Sequence, residues 1–143
     1  MLKNGYRYTK VLVLGDELLK DTENRYRFVN QRASKANAEK GIEAGTTVTL
    51  QIVEDNAKPV IDKTTGLEQD NNVFETFDAT ILGSTYPLPY KKGDYVTLEN
   101  FDASLSYYIN FSFILRFHGI KLLKPANSQG QGSVSNATTG QTK

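Results

Sequence analysis

Three groups of residues mix basic and aromatic side chains closely enough to do chemistry together. Arg25, Tyr26, Arg27, Phe28, Arg32 and Lys35 form the first, Tyr86, Tyr90, Lys91, Lys92 and Tyr95 the second, and Tyr108 with Arg116 the third. This pairing suits single-stranded nucleic acid: cations neutralise phosphates, and rings stack on bases with little regard to their order. In a strand only alternate side chains share a face. A second arrangement is therefore open for the first group, with Arg25 and Arg27 outward and Tyr26 and Phe28 in a core.

The other chemistries are poorly served. Histidine occurs once, at His118, and cysteine is absent, so there is no disulfide framework, thiolate metal site or cysteine nucleophile. No glycine-rich phosphate cradle of the nucleotide-binding types is present, and no cofactor is expected. Asp55, Asp62, Glu68, Asp70, Glu75 and Asp78 could together serve a hard metal in a nuclease. Their spacing is not that of an EF-hand, and a solvated acidic loop is the simpler reading. The chain is expected not to be an enzyme.

Charge is segregated although the formal total is only +1. Residues 1–43 carry nine Lys/Arg against six Asp/Glu, residues 44–90 two against seven, and residues 91–143 six against three. Separate basic and acidic surfaces follow once such a chain folds, so a polyanionic partner remains compatible with the small net charge.

The positioning elements read mostly as short strands. Lys10–Gly15 (KVLVLG) reads as a short buried strand, Asp16–Glu23 as a turn or one helical turn, Arg25–Arg32 as a second strand, and Ala33–Lys40 as a polar helix ended by Gly41 or Gly45. Thr46–Val53 alternates, with Val48, Leu50 and Ile52 inward. A loop over Asn56–Asn72 leads to a strand at Phe77–Gly83, a stiff loop at Tyr86–Tyr90 and a strand in KKGDYVTLENF. From Tyr107 to His118 the alternation is strict: Tyr107, Ile109, Phe111, Phe113, Leu115 and Phe117 on one face, Tyr108, Asn110, Ser112, Ile114, Arg116 and His118 on the other. A single strand is expected there, with the aromatic set in the core and Tyr108 and Arg116 toward a ligand.

These elements predict a mainly β chain: a small five-stranded, OB-fold-like antiparallel barrel with one or two short helices. Residues 1–9 are expected as a flexible N-terminal arm, 10–124 as the OB-fold domain and 125–143 as a disordered polar tail. With neither a bilayer-length apolar run nor a signal peptide, the expected location is cytoplasmic, with no membrane partner.

The runs TTVTLQIVEDN, NNVFETFDATILG, YKKGDYVTLENF and YYINFSFILRFHGIKLL resemble those of small OB-fold single-stranded-DNA-binding proteins of Gram-positive conjugative elements. The similarity is closest to the type encoded in transfer operons of enterococcal pheromone-responsive plasmids and covers roughly Lys10–Leu123. It implies a protein that coats single-stranded DNA during plasmid transfer, with copies assembling side by side; duplex DNA stays open as a second ligand. Unlike housekeeping single-strand-binding proteins, this chain has no Trp for stacking and no acidic, aromatic-ended tail. Tyr6, Arg7 and Tyr8 in the polar arm are the candidates for contact with a neighbouring copy. Two other classes stay open: a β-barrel protein–protein adaptor in a secretion or phage assembly, and the metal-dependent nuclease.

Overall fold

The computed structural model describes residues 1–4, 7 and 12–126. Helix α1 spans Gly15–Asp21, and the strands are β1 (Tyr26–Ser34), β2 (Gly45–Ile52), β3 (Thr76–Leu82), β4 (Tyr95–Phe101), β5 (Tyr107–Ile109), β6 (Ser112–Ile114) and β7 (Arg116–Lys124). Five of the strands close a barrel in the order β1-β2-β3-β7-β4, while β5 and β6 form a separate two-stranded hairpin. The architecture is OB-fold-like. Four of its seams are antiparallel, and the β3–β7 seam is parallel, which an all-antiparallel expectation does not include.

Alternation in β2, β3 and β4 sends Val48, Leu50, Ile52, Ala79, Ile81, Val96 and Leu98 into one buried cluster with Phe28, Leu115 and Phe117. Tyr26 is the largest fully buried side chain of that core. Its hydroxyl lies 2.6 Å from Thr22 Oγ1, and Thr22 Oγ1 is itself 2.6 Å from the Leu18 carbonyl it donates to. Burial pushes the Tyr26 phenol up to about 12, against the smaller opposing effect of the Thr22 contact. Because the folded value lies above the unfolded one of 10.0, stability from this group is intact below pH 10 and lost as pH rises toward 12. Tyr26→Phe should therefore unfold less steeply with alkali in a pH series of denaturant melts.

The N-terminal expectation is corrected. Leu12–Leu14 form no strand; Leu12 and Leu14 are exposed, and only Val13 reaches the core. Helix α1 follows, longer than the turn or single helical turn expected over Asp16–Glu23, with Asp16 and Glu17 in its first turn and Lys20 in its last, each complementing the helix dipole. Leu18 and Leu19 pack it against the barrel. The polar helix expected over Ala33–Lys40 is also reduced. Ala33 and Ser34 stay in β1, paired with Thr46 and Gly45, and only Ala38–Lys40 forms a 3-10 turn, closed by Gly41 at φ +68°.

The largest difference lies between Tyr107 and His118. The expected single strand is a hairpin followed by a barrel strand: Tyr107, Tyr108 and Ile109 pair with Ile114, Phe113 and Ser112 around Asn110 and Phe111. Both turn residues have positive φ, 51° and 63°, the geometry of a tight hairpin turn that asparagine accepts and phenylalanine does not favour. Leu115 and Phe117 are core, as expected. Phe111 and Phe113, expected in the core, are 92% and 60% exposed, and Ile109 is exposed too. Side chains alternate within each arm, but the two-residue turn shifts the phase by one, so that Tyr108 faces Phe113; the unbroken parity of the sequence therefore reads as one long strand and hides the turn. Relief of the Phe111 backbone by Phe111→Gly, set against glycine's greater chain entropy, should stabilise the fold by up to about 1 kcal/mol, readable in a urea melt.

Candidate nucleic-acid interface

The basic–aromatic residues divide between two surfaces and the core. The first surface is built where β1, β4 and β7 lie side by side. Register places Arg27 opposite Tyr95 and Tyr95 opposite Lys124. The Arg25 and Arg27 guanidinium carbons lie 5.7 and 5.8 Å from the Tyr95 ring centre, within cation–π range. A concavity of about 420 Å³ opens among Arg25, Tyr95, Leu123 and Lys124.

A turn brings two more cations to this side. Asp94 Oδ2 accepts from the Lys91 backbone N–H at 2.8 Å, and Gly93, at φ +94°, donates its N–H to the Phe28 carbonyl at 2.7 Å. Lys91 and Lys92 are thereby carried, exposed, on a turn fastened to β1 next to Arg27. Among the described residues neither lysine nor Arg27 has an ion-pair partner, and Arg25 meets Glu54 only at 3.9 Å. Asp94 is buried, and its other oxygen accepts from the Ala126 N–H.

The second surface is a groove of about 980 Å³ between the outer β2–β3 face and the hairpin. Thr47, Asp78 and Thr80 line the sheet side, and Phe113 and Ile114 the other. Arg32 reaches it but is engaged: its Nη2 donates to Asp78 Oδ2 at 2.9 Å, while Thr49 donates to Asp78 Oδ1 at 2.8 Å. Tyr108, 37% exposed, packs against Phe113 with ring centres 4.9 Å apart on the hairpin.

Several expected contacts are thus reassigned. Tyr26 is core and has no access to a ligand. Tyr90 is half-buried, edge-on to Phe28 at 5.9 Å, with its hydroxyl donating to the Ile120 carbonyl; burial, with Glu99 adding, raises its pKa. Arg116 is not turned out toward phosphate. Its Nη1 donates to the Leu105 carbonyl at 2.7 Å, its guanidinium stacks 5.6 Å from Tyr107, and its backbone N–H donates to Ser106 Oγ, so it clamps the hairpin base. Lys35 is exposed just beyond β1. In the arm, Arg7 is exposed with its N–H donating to the Asn4 carbonyl, and Tyr6 and Tyr8 lie outside the described residues, as does the tail from 127.

His118, on β7, sits 2.8 Å from Asp102 Oδ2. Hydrogen bonds from Ser104, His118 and the Leu105 N–H hold the Asp102 carboxyl below its ordinary value. Among the described residues no group of three or more His, Asp or Glu is placed to hold a metal. The loop carboxylates instead bind backbone, Asp62 capping Thr64 and Asp55 accepting from Ala57 and Asn72. No helix among the described residues is long and apolar enough to cross a membrane.

Sequence reasoning did not find Lys124, the groove threonines or Asp78 as site residues. Asn110 was the one available signal for the hairpin, as a residue that favours such turns, masked by the Phe that follows it. Comparison with known proteins gives no match to a family model, a curated protein or a solved structure.

Proposed function

We propose that this protein binds and coats single-stranded DNA, holding phosphates at the β1–β4–β7 surface without a strict sequence requirement. The observation that carries the reading is the Tyr95 cluster: a half-buried ring flanked by Arg25 and Arg27, with Lys124 beside it and Lys91 and Lys92 on the adjoining turn. Cations close to a ring are the pairing that grips a strand by backbone and base together. The OB-fold-like barrel adds support, since barrels of this kind commonly bind oligonucleotides through one sheet face and flanking loops. By the resemblance of the sequence, the coated strand is the one handed on in conjugative transfer, in the cytoplasm, by copies lying side by side.

A salt-titrated binding assay on single- and double-stranded oligonucleotides tests this. Five cations on phosphate give an expected slope of log affinity against log salt of about −3.5 on single strands, at roughly 0.7 per contact. Affinity indifferent to salt between dilute and physiological buffer would overturn the reading.

One observation favours a second reading, a protein–protein adaptor. From Ala103 to Leu115 the hairpin region carries no charged side chain, and it exposes Ile109, Phe111 and Phe113. Contiguous exposed apolar groups of this kind mark interaction surfaces. That reading expects no retention on DNA at moderate salt.

A further inference from the structure

The groove on the β2–β3 face differs from the Tyr95 surface in its electrostatics. Its two guanidiniums are engaged, Arg32 with Asp78 and Arg116 with the Leu105 carbonyl. Glu75 lines it as well, exposed and without an ion-pair partner among the described residues. Among the described residues, a phosphate placed there would meet two carboxylates and no free cation, so the groove favours the uncharged part of a nucleotide.

The Arg32–Asp78 pair has a hydrogen-bonding order of its own. An ionised carboxylate offers about four acceptor positions. Asp78 uses one on each oxygen, Oδ1 for Thr49 and Oδ2 for Arg32, leaving one on each for a ligand. Arg32 commits Nη2 to Asp78, and its side chain is 62% exposed, which leaves further N–H donors toward solvent. Across the pair the sequence is acceptor, acceptor, donor. That is the order on the pairing edge of cytosine, and its complement is donor, donor, acceptor: the N2 amino, N1–H and O6 of guanine.

We infer that Asp78 and Arg32 together read guanine, so that the protein binds strands containing unpaired guanine more tightly than strands of thymine. Thymine offers a single N–H between two carbonyls, and adenine and cytosine one amino group each; neither fills both free acceptors of Asp78. The inference rests on the DNA-binding reading above and adds a base preference to it.

The test is competition by fluorescence anisotropy with 20-mers on a thymine background carrying isolated guanines, isolated inosines in the same positions, or thymine alone, in lithium buffer to suppress guanine quadruplexes. The guanine strand is expected to bind about tenfold tighter than the thymine strand, the lower range for a bidentate base contact. Inosine, which lacks only the N2 amino group, should lose most of that advantage without any change to the protein. Asp78→Asn, which replaces an acceptor by a donor at a solvent-exposed pair, should bind all three strands alike. Equal binding of the three strands by the unaltered protein would overturn the inference and leave the DNA-binding reading standing. Absence of binding to every strand overturns both.

Discussion

Phe117→Ala is expected to cost the fold about 3–5 kcal/mol, while Phe113→Ala, four residues away on the same sequence alternation, should cost about 1 kcal/mol or less. Phe117 is fully buried, 5.4 Å from the Phe101 ring, and its removal leaves a cavity at the centre of the barrel. Phe113 is 60% exposed and loses mainly its cross-strand contact with Tyr108. Urea unfolding with matched m-values separates the two. A larger loss at Phe113 would mean that the hairpin packs into the core and that its ring is not available to a ligand.

The second large effect is on DNA. Replacing both Arg25 and Arg27 by alanine should flatten the single-strand salt slope by about 1.4, two contacts at roughly 0.7 each, with little change in melting temperature. Tyr95→Ala should weaken binding by about 1–3 kcal/mol, the range for loss of one stacking ring. Arg116→Ala supplies the contrast. It removes a charged hydrogen bond to the Leu105 carbonyl and the contact with Tyr107, so it should destabilise the protein by about 1.5–3 kcal/mol and leave the slope unchanged. If Arg116 altered the slope and the Arg25/Arg27 pair did not, the phosphate surface would have to move to the groove.

What was legible in the sequence follows from which physical signals are local. Alternation in Thr46–Val53 and Phe77–Gly83 gave β2 and β3 almost to the residue, because one face of each is buried and the other is not. The barrel class followed from strand count and spacing. Alternation sets Tyr26 and Phe28 on the face opposite Arg25 and Arg27 but does not say which face is core; the closed barrel decides that Tyr26 points in, and the pairing of β1 with β4 brings Arg27 to Tyr95. Arg116 misled for a different reason. Its outward parity was read on an unbroken strand, whereas the turn at Asn110–Phe111 folds Leu105 and Tyr107 back over it. The partner of Arg32 was equally unreadable, since Asp78 is 46 residues away in sequence.

The parallel β3–β7 seam is short, joining Thr80 to Arg116 and Ile81 to Phe117, whereas β1 and β2 share eight registered pairs. Mechanically, the barrel is a strong antiparallel ribbon of β1, β2 and β3 joined to the β4–β7 pair by two small clasps, this one and the β1–β4 seam, which also has two registered pairs. Such clasps form late, because they join distant parts of the chain and repay the entropy of loop closure with few bonds. They are also where barrel amide protons should exchange sooner than in the β1–β2 ribbon, since local opening there breaks few bonds. The groove borders the β3–β7 clasp through Thr80 and Arg116, so its width is governed by one of the two short seams that close the barrel.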